Sequence, residues 1–121
     1  MANMMYNKIT TRSRGMSMRI AVTTNGKNVS EQFGKTIKFT IFEVLSGQMR
    51  GKLLINVSVS GGQEALIYIL KNEGVEVLLC GEISDKVKEA LNQYDIEVIS
   101  GLKGNIRSLI RAYTKGYLRE N

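Results

Sequence analysis

The most informative part of the chain is MRIAVTTNGKNVSEQFG, residues 18–34. Its beginning, Met18–Thr24, centres on the apolar run Ile20–Val22 and predicts a β-strand. A polar loop follows, contains Gly26, and closes on Ser30–Gly34 before a second strand pattern begins. The stretch therefore predicts a strand, a loop rich in hydrogen-bonding groups, and a further strand at the start of the fold.

Hydrophobic periodicity predicts the remaining elements. Ile37, Phe39 and Ile41 alternate as in a half-buried strand, whereas the nearly continuous apolar run Val75–Cys80 is typical of a central parallel strand. The predicted strands are Met18–Thr24, Ile37–Val44, Lys52–Val59, Val75–Cys80 and Ile96–Ile99, and the predicted helices are 63–73, one that begins after Ser84, and 105–115. This β-β-β-α-β-α-β-α order predicts an α/β fold with a mixed five-stranded sheet and helices on its faces.

Length and cysteine content narrow the class of protein. The chain has 121 residues, which fits one domain that can bury a core without disulfides or a structural metal. It contains one cysteine and no histidine, so an internal disulfide framework and a conventional structural zinc site are excluded. We expect a cytoplasmic protein, because no apolar run reaches the roughly 18 residues that span a bilayer and no secretory signal pattern is present.

The N-terminal residues differ from the rest of the chain. Residues 1–17 carry Lys8, Arg12 and Arg14, no acidic residue and little apolar periodicity. We interpret 1–17 as a flexible basic tail and 18–121 as the folded domain. The alternative is an arm that contacts phosphates, which the net charge of +6 would favour.

Three segments together resemble a known family. The start Met18–Val22, the loop Ser-Glu-Gln-Phe-Gly-Lys at 30–35 and the segment Leu-Leu-Cys-Gly-Glu-Ile at 78–83 are similar to those of the dinitrogenase iron–molybdenum cofactor carrier family. The resemblance implies a ribonuclease-H-like three-layer fold and the non-catalytic binding or delivery of an anionic metallocluster. The implied cargo is the iron–molybdenum cofactor, its precursor or a related Fe/Mo–S cluster, and the implied partner is a cluster donor or acceptor protein.

Two departures from the family pattern concern metal ligands. The family loop usually reads Ser-Glu-His-Phe-Gly and its His is the proposed metal contact, whereas this chain has Gln32 at that position. Many members also have a longer His- and Gly-rich loop where this chain has the short run Ser58–Gly62. A Gln amide can hydrogen-bond a cluster but is a poor ligand for Fe or Mo. An interaction module that has lost cluster binding is therefore an alternative function.

Several enzyme classes lack their characteristic residues. Ribonuclease-H-like nucleases hold two Mg²⁺ ions with carboxylates, one of them on the first strand, but Arg19–Thr24 contains no Asp or Glu. The chain also has no Gly-X-Ser-X-Gly elbow and no Walker-type phosphate loop. We therefore expect a protein that is not an enzyme.

Cys80 and Gly81 lie at the carboxyl end of a predicted central strand. The crevice outside such ends is where open α/β sheets bind ligands, and a thiolate there would suit a soft metal. Free cysteine is more often a small buried hydrophobic residue, so the core interpretation stays open beside the ligand interpretation. Gly81 would serve either close backbone approach to a ligand or a tight turn.

The loop at 25–35 is the second candidate site. Its polar and glycine residues offer hydrogen-bond donors and positive charge to an anion. The candidate cofactor-binding residues are Asn25, Gly26, Lys27, Ser30, Gln32, Gly34 and Lys35, together with Cys80 and Gly81. We expect Phe33 to anchor the loop in the core. The alternative for the loop as a whole is an ordinary surface connection.

The last predicted helix carries a basic stripe. Lys103, Arg107, Arg111 and Lys115 recur at every fourth residue, opposite the apolar set that includes Ile110. Such a stripe either contacts phosphates or an acidic partner, or is a solvated helix face. A nucleic-acid-binding domain is thus a further alternative, although no basic strand face interleaved with aromatic residues supports it.

Overall fold

The computed structural model describes residues 17–36, 38–57 and 62–118. Within these ranges the strands are β1 Ser17–Asn25, β2 Asn28–Val29, β3 Lys38–Leu45, β4 Gln48–Asn56, β5 Val77–Leu79 and β6 Glu97–Ile99, and the helices are α1 Gly62–Asn72, α2 Asp85–Gln93 and α3 Ile106–Thr114. The predicted order of five strands and three helices is confirmed, and the two-residue strand β2 is added to it.

The sheet is mixed, as predicted. Its order is β4-β3-β1-β5-β6, and β2 pairs with the end of β1. Strand β1 pairs antiparallel with β3, and β3 with β4, whereas β1, β5 and β6 run parallel to one another. The carboxyl ends of the three parallel strands therefore meet at one edge of the sheet, where α/β folds commonly bind ligands.

Helices cover both faces of the sheet, which gives three layers. Leu66 and Leu70 of α1 pack with α2 against one face, and Ile106 and Ile110 of α3 pack against the other. The central strand β1 is buried on both sides, because Ala21 belongs to the first core and its neighbours on the strand to the second.

Strand β3 is more deeply buried than its alternation predicts. Phe39 and Ile41 face the α1–α2 core as expected, and Ile37 lies outside the described residues. Phe42 and Val44 are also buried, in the α3 core. The half-buried interpretation was wrong because β3 is an interior strand of a sheet with helices on both faces.

Local capping agrees with the sequence. The Ser84 hydroxyl accepts a hydrogen bond from the Val87 amide at 3.3 Å, and the Asn105 side chain accepts one from the Ser108 amide at 3.1 Å. Each satisfies an amide that the first turn of a helix leaves free. Gly74 follows α1 with a φ of +70°, as a helix-ending glycine does.

Some predictions fall outside the described ranges. They concern the tail, apart from Ser17 at the start of β1, and the residues 58–61 before α1. In the part of the chain that the structure describes, no helix is both long and apolar enough to cross a membrane.

Candidate functional site

Three loops follow the carboxyl ends of β1, β5 and β6 and are joined by backbone hydrogen bonds. The β1 loop spans 26–36, the β5 loop 80–84 and the β6 loop 100–105. The Val29 amide donates to the Gly104 carbonyl and the Ile106 amide to the Lys27 carbonyl, both at 2.9 Å. The Phe33 amide donates to the Glu82 carbonyl at 2.8 Å, and the Glu82 amide to the Glu31 carbonyl at 2.7 Å. The Gly101 amide donates to the Gly81 carbonyl at 2.8 Å. The three loops thus form a connected backbone surface at this edge of the sheet, and the β1 loop is fixed against both neighbouring loops.

The first part of the β1 loop is a tight hairpin. Asn25 pairs with Asn28 across Gly26 and Lys27, and Gly26 adopts a φ of +66°, which favours glycine. Lys27 is exposed, so its ammonium group faces solvent while its carbonyl is held by α3. The hairpin presents a positive charge from a fixed backbone.

The second part of the loop is anchored by an aromatic side chain. Phe33 is fully buried and its ring lies 6.3 Å from that of Phe39. A short 3-10 turn, Phe33–Lys35, follows it, and Lys35 is exposed. Phe33 therefore has the core role predicted for it, and it holds Gln32 and Lys35 at the surface on either side.

Gln32, at the position of the family His, is exposed and paired through its backbone with Glu82. Glu31 and Glu82 are also exposed, and the Glu82 amide donates to the Glu31 carbonyl at 2.7 Å. The surroundings of Gln32 therefore include carboxylates as well as the ammonium group of Lys35. Sequence reasoning missed Glu82, although its place just after a parallel strand was a usable signal.

Gly81 allows two backbone segments to touch. A Cβ at this position would overlap the carbonyl oxygen of Glu31 and would lie 2.6 Å from that of Ser30. The absence of a side chain is thus explained by contact with the β1 loop. This contact favours a role for Gly81 in positioning the candidate site.

Cys80 is fully buried in the α1–α2 core. Burial raises the pKa of its thiol to about 12, and the nearby positive charge of Lys88 offsets this only in part. The thiol is therefore protonated at neutral pH, whereas a metal ligand must be the thiolate. The burial of Cys80 therefore favours the core interpretation.

Two buried hydroxyl groups at the ends of the β1 loop lack a partner. The side-chain oxygens of Thr23 and Thr36 are buried without a hydrogen-bond partner in the described structure. Buried polar groups are nearly always paired, so these hydroxyls call for an explanation. Sequence reasoning missed both. Thr23 lies in a strand, where a Thr is usually explained by its β-propensity, and Thr36 follows the 3-10 turn, where no periodicity marks it.

Among the residues that the structure describes, no three His, Cys, Asp or Glu side chains are grouped so that they could hold a metal ion. The site therefore offers hydrogen-bond donors and ammonium groups rather than a ligand set. It brings together Asn25, Gly26, Lys27, Ser30, Gln32, Gly34, Lys35 and Gly81 on linked loops, with Cys80 beneath them in the core.

Comparison with known proteins gives the family. A model of the dinitrogenase iron-molybdenum cofactor family matches residues 16–116. The chain belongs to this family. This match confirms the resemblance seen in the three sequence segments, and it covers nearly all of the described residues.

Two solved structures share the fold of this cofactor-family chain, and a further protein is similar to it in sequence. The crystal structure of PH0822 is 24% identical with a TM-score of 0.78, over 86% of this chain and 95% of that one. The apo form of the orange protein from Desulfovibrio gigas is 24% identical with a TM-score of 0.72, over 86% and 92%. An uncharacterized protein of Methanocaldococcus jannaschii, MJ0580, is 24% identical over 85% of this chain and 91% of its own length.

Proposed function

We propose that this protein binds an anionic metal–sulfur cluster, the iron-molybdenum cofactor or a related Fe/Mo–S species, as cargo and without catalysing a reaction. Family membership supports this proposal. The observation that carries it is the β1 loop, which is fixed by hydrogen bonds to both neighbouring loops yet keeps Lys27, Gln32 and Lys35 exposed. A loop that is already ordered loses little conformational entropy when it binds a ligand.

The cargo would be held without a metal–protein bond. Lys27 and Lys35 would attract the negative cluster, and the Gln32 and Asn25 amides would donate hydrogen bonds to its sulfides. The unpartnered hydroxyls of Thr23 or Thr36 would gain an acceptor if the loop adjusts on binding. Glu31 and Glu82 would oppose the binding of an anion, so they would limit affinity and favour release to an acceptor protein.

The proposal is tested by titrating purified, anaerobic protein with tetrathiomolybdate and copper or iron, and by following absorption and bound metal. We expect the double variant Lys27→Glu/Lys35→Glu to bind about tenfold more weakly, since two attractions become repulsions. Arg50→Glu/Lys52→Glu is the matched control, because it makes the same change of four charge units on exposed residues of β4, outside the candidate site. Equal affinity of the double variant and the control would contradict the assigned site.

A second variant tests the hydroxyl groups. Thr23→Val keeps the shape of the side chain and removes an unpartnered hydroxyl, so it should preserve or raise the stability of the apo protein. If Thr23 donates to the cargo, the same variant lowers cluster affinity. Lower affinity without lower stability supports the role, and unchanged affinity removes Thr23 from the site.

A further inference from the structure

A cleft of about 380 Å³ lies between α3 and the turn that joins β3 to β4. Arg107, Arg111 and Lys115 line it from the helix, and Met49 lines it from the strand. It shares no lining residue with the β1 loop, so it is separate from the candidate cluster site. The basic stripe predicted from the sequence thus forms one wall of a groove rather than an isolated helix face.

The positive charge of the described domain is concentrated around this cleft. Segments 45–57 and 106–118 contain five basic residues and no acidic one, namely Arg50, Lys52, Arg107, Arg111 and Lys115. The other described residues contain eight basic and ten acidic residues. No described carboxylate lies within ion-pair distance of Arg107, Arg111 or Lys115, so these charges are available to an anionic partner.

Strand β4 begins at the cleft, which its Met49 lines. Among the described strands it lies at the end of the sheet order with β3 as its neighbour, and its residues are exposed except for the half-buried Ile55. Met49, Leu53 and Leu54 expose 42%, 44% and 55% of their surface. A long edge strand offers free backbone groups to an added strand.

The spacing of the charges matches an extended chain. Residues four apart on a helix are separated by about 6 Å along its axis. Alternate residues of a β-strand are separated by about 6.6 Å. We infer that β4 and the basic face of α3 together bind an extended acidic segment of a partner protein, which adds to the sheet beside β4. Acidic side chains at alternate positions then meet Arg107, Arg111 and Lys115.

Two other occupants fit less well. If a second copy paired through its own β4, Arg50 and Lys52 of the two copies would face one another. The strand contains no acidic residue to offset them, and like charges across strands are destabilising. Single-stranded nucleic acid is usually held by stacking on aromatic side chains, and no described aromatic residue lines the cleft. The inference is independent of cluster binding.

The test uses a labelled peptide of about nine residues, matched to β4, in which Glu and Val alternate. Fluorescence anisotropy compares it with a peptide in which Gln replaces Glu, and with two peptides that are N-methylated at one or the other alternate set of residues. We expect binding of the acidic peptide, loss with the Gln peptide, and loss with one N-methylated peptide but not the other. Equal binding of both N-methylated peptides and the parent would overturn strand addition.

Variants locate the binding surface. Arg111→Glu should lower the affinity for the acidic peptide about fivefold. Lys86→Glu makes the same change of charge on α2 and should leave this affinity nearly unchanged. Equal effects of the two variants would overturn the inference. Binding of an oligothymidylate that depends on Arg111, without binding of the peptide, would also overturn it and assign the groove to nucleic acid.

Discussion

At the scale of single residues, Gly81 links the core to the candidate site. Its missing side chain lets the carbonyls of Ser30 and Glu31 pack against the end of β5. The sequence allowed two explanations for this glycine, a ligand contact or a turn. The deciding contact comes from a segment fifty residues away, so local sequence could not supply it.

We expect Gly81→Ala to destabilise the domain by about 2 kcal/mol, because the added methyl group must displace backbone rather than a side chain. Gly51→Ala is the matched control, since nothing lies near its Cβ position and its φ is not positive. Urea unfolding followed by circular dichroism measures both. Equal midpoints for the two variants would show that the β1 loop yields without cost.

Cys80 gives a prediction for pH. Burial raises the pKa of its thiol from 9.0 to about 12, so the folded protein holds this proton more tightly than the unfolded chain does. The thiol contributes its full stabilisation below the pKa that it has in the unfolded chain. This contribution is lost as the pH rises through the pKa that it has in the folded protein. We expect the free energy of unfolding to fall less steeply above about pH 9 in Cys80→Ala than in the wild type.

The Cys80→Ala variant also tests the metal question. Tyr113, whose pKa is likewise raised to about 12, affects both proteins equally and cancels in the comparison. The variant should lose about 1 kcal/mol of stability at neutral pH, because a small buried group is removed, and it should retain cluster uptake. If the unfolding free energies of Cys80→Ala and the wild type depend equally on pH, the raised pKa of the buried thiol is contradicted. If Cys80→Ala no longer takes up the cluster, Cys80 is a candidate metal ligand.

At the scale of elements, periodicity was sufficient where an element is long. The strand around Phe39 and all three helices were predicted from spacing of 2 or 3.6 residues, and the strand around Ile20 was predicted from its continuous apolar run. Strand β2 was missed because two residues carry no periodicity. Its signal was the Asn25-Gly26 pair, which is typical of a tight hairpin. The burial of β3 on both faces depends on strand order, which spacing does not encode.

The start of α3 has a role beyond its own stability, since it holds the β1 loop through Gly104 and Ile106. Asn105→Ala removes the side chain that caps the Ser108 amide and should cost about 1 kcal/mol. We also expect faster hydrogen exchange at the amides of Val29 and Ile106. Ser108→Ala keeps the cap and is the control. Faster exchange confined to α3 would contradict the coupling.

At the scale of the whole molecule, two surfaces divide the chemistry. The β1 loop was proposed as a site from the sequence, because it carries a segment that resembles the family pattern. Of the groove between α3 and β4, the sequence predicted only one wall, the basic stripe that includes Arg107 and Arg111. The other wall lies about sixty residues earlier, and strand order alone brings the two together.

The measurement that tests the central claim most directly is the metal content of anaerobic wild-type protein after tetrathiomolybdate with copper or iron has been offered and excess removed by gel filtration. The account predicts stoichiometric molybdenum, with charge-transfer absorption that co-elutes with the protein. Cys80→Ala retains the bound molybdenum, and Lys27→Glu/Lys35→Glu, which binds about tenfold more weakly, retains less of it. Metal-free protein under every condition offered would contradict cluster binding by this chain.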